Sequence, residues 1–176
     1  MKALELLAIG KLDPGLLRFL AATLAEGLQV PCTILPAPMD PQFAFHPERQ
    51  QFHSSQILTA MQSHVKSSSW RVLGVTSVDL YIPILTFVFG EAQMGGPCAV
   101  VSTHRLAQEL YGLPADPDAL AERLLKEAVH EIGHTLDLTH CEDYACAMAP
   151  SHAVEWIDLK QATLCEQCQA RVLQNS

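Results

Sequence analysis

The run His130-Glu131-Ile132-Gly133-His134-Thr135-Leu136-Asp137-Leu138-Thr139-His140-Cys141 decides how this chain is read. His130 and His134 stand four apart, so on a helix both imidazoles project from one face and can grip one ion. Glu131 sits beside that face, placed to act on water next to the ion rather than to ligate. Zinc held by three protein groups keeps a fourth position open for chemistry. His140 lies six residues after His134, too far along for the same straight helix face. A sharp reversal of the chain must return it to the ion. The competing reading is a chance His-Glu-x-x-His on a surface helix, since short motifs carry false positives.

Working outward toward the N-terminus, Asp116 is expected to cap this helix with Pro117 at its first position. Leu125, Ala128, Ile132 and Leu136 gather on the side opposite His130 and His134. One face is therefore expected to pack into a core and the other to look into a cleft. Further upstream the chain alternates strands and helices, the pattern of a layered α/β or α+β domain. Residues 3–9 read as a strand, 14–28 as an amphipathic helix and 29–35 as a second strand. A proline-marked loop is expected over 36–47, then a helix from Ser54 or Ser55, either of them a possible cap, to about Val65. Strands are expected at 71–81, 85–89 and 98–102.

Toward the C-terminus come Cys141, Cys146, Cys165 and Cys168, four of the six cysteines. Four thiolates in two pairs can form a closed tetrahedral zinc site. Two disulfides are the alternative, favoured only in an oxidising compartment. Met1–Gly10 carries one lysine, Glu5 interrupts its apolar run, and no small-residue cleavage site follows. Read as a strand rather than a leader, it points to a cytoplasmic protein and against a secreted, disulfide-bonded one. Cys32 and Cys98 are expected as small buried thiols.

Composition narrows the function classes. The chain has 176 residues, 49% apolar and 17% charged, with a formal net charge of −8. That is enough chain for one domain with a real core. An acidic surface without a basic cluster argues against nucleic acid. The longest apolar stretch, 80–89, is too short for a spanning helix and argues against a membrane. His46, His53, His64, His104 and His152 lack ligand spacing with the motif. Tyr144 is expected at a packed turn.

The spacing from His130 to Cys168 resembles the archaemetzincins, within the metzincin metallopeptidases. Their pattern is similar: His-Glu-x-x-His-x-x-Gly-x-x-His-Cys, a Cys-x-Met after four residues, and a later Cys-x-x-Cys. Here Asp137 stands in the Gly place, and Met148 and Cys165 are separated by 16 residues, one short of that pattern. Asp is among the few non-glycine residues tolerated in the left-handed region, at about 1–2 kcal/mol.

The resemblance implies an α+β, α/β-like metzincin-type domain over 1–176. Its sheet would be twisted, mixed and five-stranded, with an antiparallel edge strand near 85–91 to which an extended peptide adds. A sheet-and-helix part over 1–136 would precede a zinc-stapled C-terminal part over 137–176. Two zinc ions are implied. His130, His134 and His140 would hold the catalytic one, with Glu131 as general base and acid. Cys141, Cys146, Cys165 and Cys168 would hold the structural one, with Met148 in a turn beneath the site. The expected function is zinc-dependent hydrolysis of a peptide or protein substrate. The alternative is a non-proteolytic zinc protein, or a hydrolase of a non-peptide amide on the same scaffold.

Overall fold

The computed structural model describes residues 1–174, so the last two residues of the expected C-terminal part lie outside the described chain. The expected mixed five-stranded sheet is present. β1 (Ala3–Ile9) runs near its centre. It pairs in parallel with β2 (Cys32–Ile34) on one side and β5 (Ser69–Thr76) on the other. β8 (Cys98–Ser102) continues the sheet in parallel, and β7 (Gly90–Ala92) closes it as an antiparallel edge. The central strands are buried on both faces, which is why they read as nearly continuous apolar runs.

Alternation sorts those side chains into two layers. Leu4, Leu6, Leu73, Val75, Ala99 and Val101 face α1 (Pro14–Leu28) and α3 (Pro117–Thr135). Leu7, Ile9, Val72, Cys98 and Val100 face α2 (Ser54–Met61). The expected start of α3 is in place, with the Asp116 side chain accepting from the Ala119 N–H at 3.0 Å and Pro117 in the first turn. Among the described residues, no helix is long and apolar enough to cross a membrane.

Several expectations need correction. The strand predicted over 71–81 ends at Thr76, and Leu80–Tyr81 forms β6 in a second sheet. That sheet comprises β3 (Phe45–His46), β4 (Gln51–His53) and β6, so the expected loop over 36–47 runs into a strand. Residues 85–89 are not a strand, because side chains from positions 49 and 51 take the carbonyls of Leu85 and Thr86. The edge strand sits just beyond, at 90–92. Neither Ser54 nor Ser55 caps α2, whose cap position is His53 with no side-chain hydrogen bond. Both serine hydroxyls donate instead to the Glu91 carboxylate, which ties β7 to the start of α2. Cys98 is buried as expected, whereas Cys32 is only partly so.

A long return follows α3 through the short α4 (Val154–Leu159) to α5 (Glu166–Gln174). Here Leu138, Cys146, Met148 and Cys168 form a small buried cluster of their own.

Candidate metal centres and cleft

α3 ends by the reversal that His140 needs. Asp137 has φ +63°, the left-handed conformation that its place in the sequence demands. The Leu138 N–H donates to the Gly133 carbonyl, and the Asp137 N–H to that of His134, both at 3.1 Å. These two bonds form a Schellman cap, satisfying carbonyls that a helix end otherwise leaves open. Asp137 puts a negative charge at the negative end of the helix dipole. Arg71 answers it from β5, donating to the Thr135 carbonyl and hydroxyl at 3.0 Å each.

The reversal brings the third imidazole back. Ring centroids of His140 lie 5.3 Å from His130 and 5.1 Å from His134. One ligand atom from each of the three falls within 4.8 Å of the others. The Nε2 atoms of His130 and His134 are 3.1 Å apart, close to the roughly 3.3 Å that a tetrahedron of 2.0–2.1 Å zinc–nitrogen bonds requires. Each inner nitrogen is engaged: His130 Nδ1 donates to the Ala147 carbonyl at 2.8 Å, and His134 Nδ1 to that of Leu138 at 2.7 Å. That tautomer leaves both Nε2 lone pairs for a metal. Burial pushes the pKa of all three imidazoles down, furthest for His130, so they stay neutral. The donor set fits zinc.

Ala147 belongs to the turn that carries Met148. Gly133 makes this turn possible, since a Cβ there would collide with the Met148 sulfur. Met148 is fully buried beneath the helix.

The four cysteines also converge, with all sulfurs within 4.8 Å of one another. Cys141 and Cys165 sulfurs are 3.8 Å apart. Tetrahedral zinc–sulfur bonds near 2.3 Å put sulfurs about 3.8 Å apart, whereas a disulfide needs about 2.05 Å. All six cysteines are free thiols. The donor set again suits zinc. The Cys141 N–H donates to the Met148 carbonyl at 2.9 Å, so this cluster is coupled through the backbone to the turn beneath the imidazoles.

Glu131 occupies the floor of a cleft of about 510 Å³, lined on one side by residues 85–92 and on the other by 150–152. Burial pushes its pKa well above the ordinary carboxyl value; Glu127 and Glu91 add to this and Lys160 opposes it. The expectation that half of α3 packs while half faces the cleft is too simple. Arg123, Lys126 and Glu127 are buried as well. Glu127 meets the wholly buried Lys160 at 2.8 Å, and Lys160 also donates to the Ala149 carbonyl at 3.1 Å. Sequence reasoning passed over this pair, although Glu127 and Glu131 share a helix face at i, i+4. Nothing in the sequence pointed to Lys160. His152, which lacks ligand spacing with the motif, nevertheless lines the cleft. Tyr144 is 68% exposed rather than packed.

The chain is similar to known proteins over most of its length. Residues 44–175 match Peptidase family M54. The archaemetzincin of Methanocaldococcus jannaschii is 42% identical over 160 residues, covering 91% of this chain and 87% of that one.

The chain belongs to Peptidase family M54, the archaemetzincins.

By family it is a zinc metallopeptidase. Another archaemetzincin, from Archaeoglobus fulgidus, is 37% identical and covers 87% of this chain and 88% of its own. Among solved structures, a zinc-dependent peptidase from Methanocorpusculum labreanum superposes with a TM-score of 0.86. It is 30% identical, covering 97% of this chain and all of that one. The Archaeoglobus fulgidus archaemetzincin, solved with malonate, gives 0.82 at 33% identity, covering 96% and 99%. The fold expected from the archaemetzincin resemblance is therefore the fold observed.

Proposed function

We propose that this archaemetzincin hydrolyses peptide bonds with His130, His134 and His140 holding one zinc ion and Glu131 moving the proton. The four cysteines would hold a second, structural zinc. Zinc at the imidazoles supplies a Lewis acid and lowers the pKa of water to about 7. The chain's own groups do the rest. Glu131 takes the proton as water attacks the carbonyl, then delivers it to the departing amine. The carbonyls of Ala147 and Leu138 keep two imidazoles oriented. The edge strand β7 offers its free backbone side to an extended substrate. We read its setting as cytoplasmic, a reading that the free thiols support.

The observation that carries the reading is the buried Glu131 carboxylate on the cleft floor beside three converging imidazoles. The test is Glu131→Gln assayed on a mixed peptide library with zinc content measured in parallel. Cleavage should vanish while zinc stays. Equal cleavage by both proteins removes Glu131 from the mechanism. A wild type that binds zinc yet cleaves no peptide favours a non-proteolytic protein or a non-peptide amide hydrolase.

A further inference from the structure

The apolar wall of the cleft is held by side chains rather than by a strand. Across 82–89 the backbone makes few bonds of its own, among them Leu85 N–H to the Ile82 carbonyl at 3.1 Å and Val88 N–H to that of Leu80 at 2.9 Å. The carbonyls of Leu85 and Thr86 instead accept from Arg49 Nη2, at 2.7 and 3.3 Å. Gln51 Nε2 adds a bond to Thr86 at 2.9 Å.

Arg49 is itself fixed. Its guanidinium lies over the Tyr81 ring at 4.0 Å, and its Nε donates to Gln51 Oε1 at 3.0 Å. Gln51 donates to Asp79 at 3.0 Å. Asp79 accepts both arms of Arg105, at 2.8 and 2.7 Å, and Arg105 lies over the Phe87 ring at 4.3 Å. The wall is thus gripped from the β3–β4 turn by Arg49, from the second sheet by Gln51 and the Leu80 carbonyl, and at its Phe87 ring by Arg105.

The gripped segment carries exposed apolar side chains. Ile84 is 86% exposed and Leu85 49% exposed. Leu85 and Phe87 line the cleft above the imidazoles.

We propose that Arg49 is a positioning residue for substrate: it fixes the wall at Leu85–Phe87 and so sets affinity for peptides with apolar side chains, without joining the chemistry. The proposal rests on the peptidase reading above and names its substrate class. Charge-assisted bonds from a guanidinium fork are stronger than neutral ones and hold direction as well as distance. Their loss leaves the chemistry intact and the wall loose.

The test uses two readouts that need no turnover, on zinc-loaded wild type, Arg49→Met and Arg49→Lys. Amide hydrogen exchange over 85–89 reports the grip. Calorimetric affinity for a dileucyl hydroxamate, against acetohydroxamate, reports the wall. Arg49→Met should speed exchange about tenfold or more and weaken the dileucyl ligand about tenfold, as loss of charged hydrogen bonds implies. Acetohydroxamate, too short to reach the wall, should bind as before with zinc content unchanged. Arg49→Lys keeps the charge but loses the fork, and should fall between. Unchanged exchange in both variants overturns the grip. Faster exchange with unchanged dileucyl affinity overturns the role in substrate binding. Equal weakening of both hydroxamates moves Arg49 to the metal centre and overturns the proposal. A wild type that cleaves no peptide sinks the peptidase reading instead, while both readouts still decide the part played by Arg49.

Discussion

Gly90 and Glu131 are in contact across the cleft floor: a Cβ on Gly90 would lie 2.8 Å from both Cγ and Oε1 of Glu131. It would also lie 2.6 Å from the Val100 carbonyl in the neighbouring strand. The φ of Gly90 is not positive, so space rather than backbone freedom requires glycine here. The edge strand and the carboxylate share a volume that one methyl group would fill.

Gly90→Ala is therefore expected to displace the carboxylate by a fraction of an ångström to about 1 Å. A misplacement of that size can cost about 10²-fold in rate. Steady-state kinetics should show kcat falling while metal analysis finds the same zinc content as in wild type. Unchanged kcat would mean that Glu131 can shift without cost.

Asp137 gives a second expectation. Its left-handed backbone, φ +63°, is one that Ala tolerates poorly and Gly well. Thermal unfolding should place Asp137→Ala about 1 kcal/mol below wild type. Asp137→Gly should be at least as stable as wild type. Equal losses in both would show that the carboxylate, not the backbone conformation, matters at this position.

The buried pair Glu127–Lys160 gives a third. Removing one partner of a buried pair typically costs about 3–5 kcal/mol, because the other charge is stranded. Replacing both with apolar groups is often close to neutral. Lys160→Met alone should lower stability sharply in denaturant titrations, and Glu127→Met/Lys160→Met should recover most of the loss. A double variant as unstable as the single would contradict this account.

Asp79 makes stability depend on pH. Burial pushes its carboxyl up, but hydrogen bonds from Arg105 and Gln51 and the Arg105 charge outweigh this, leaving it below its ordinary 3.8. A depressed carboxyl stabilises the fold above its unfolded value and loses that contribution as pH falls through its folded value. The stability gap between wild type and Asp79→Asn should therefore be full near neutrality and shrink below pH 3.8. A gap independent of pH would rule out ionisation as its source.

What the sequence made legible was what a regular period could encode. His130 and His134 follow from 3.6 residues per turn, and Asp116-Pro117 marks the helix start by capping chemistry. Asp137 adopts the conformation expected of the Gly place in the archaemetzincin pattern. What stayed hidden depends on contacts between distant segments. Residues 85–89 have strand-like composition, yet Arg49 and Gln51 claim their carbonyls. Lys160 meets Glu127 only after the chain has turned back beneath α3. His152 reaches the cleft through the path of 150–152, not through any spacing with the motif.

The most direct measurement is anomalous X-ray diffraction at the zinc edge from crystals of the purified protein. The account predicts two peaks, one among the Nε2 atoms of His130, His134 and His140, the other among the sulfurs of Cys141, Cys146, Cys165 and Cys168. No peak at the imidazoles, or a His140 ring turned away from a peak held by the other two, would contradict it.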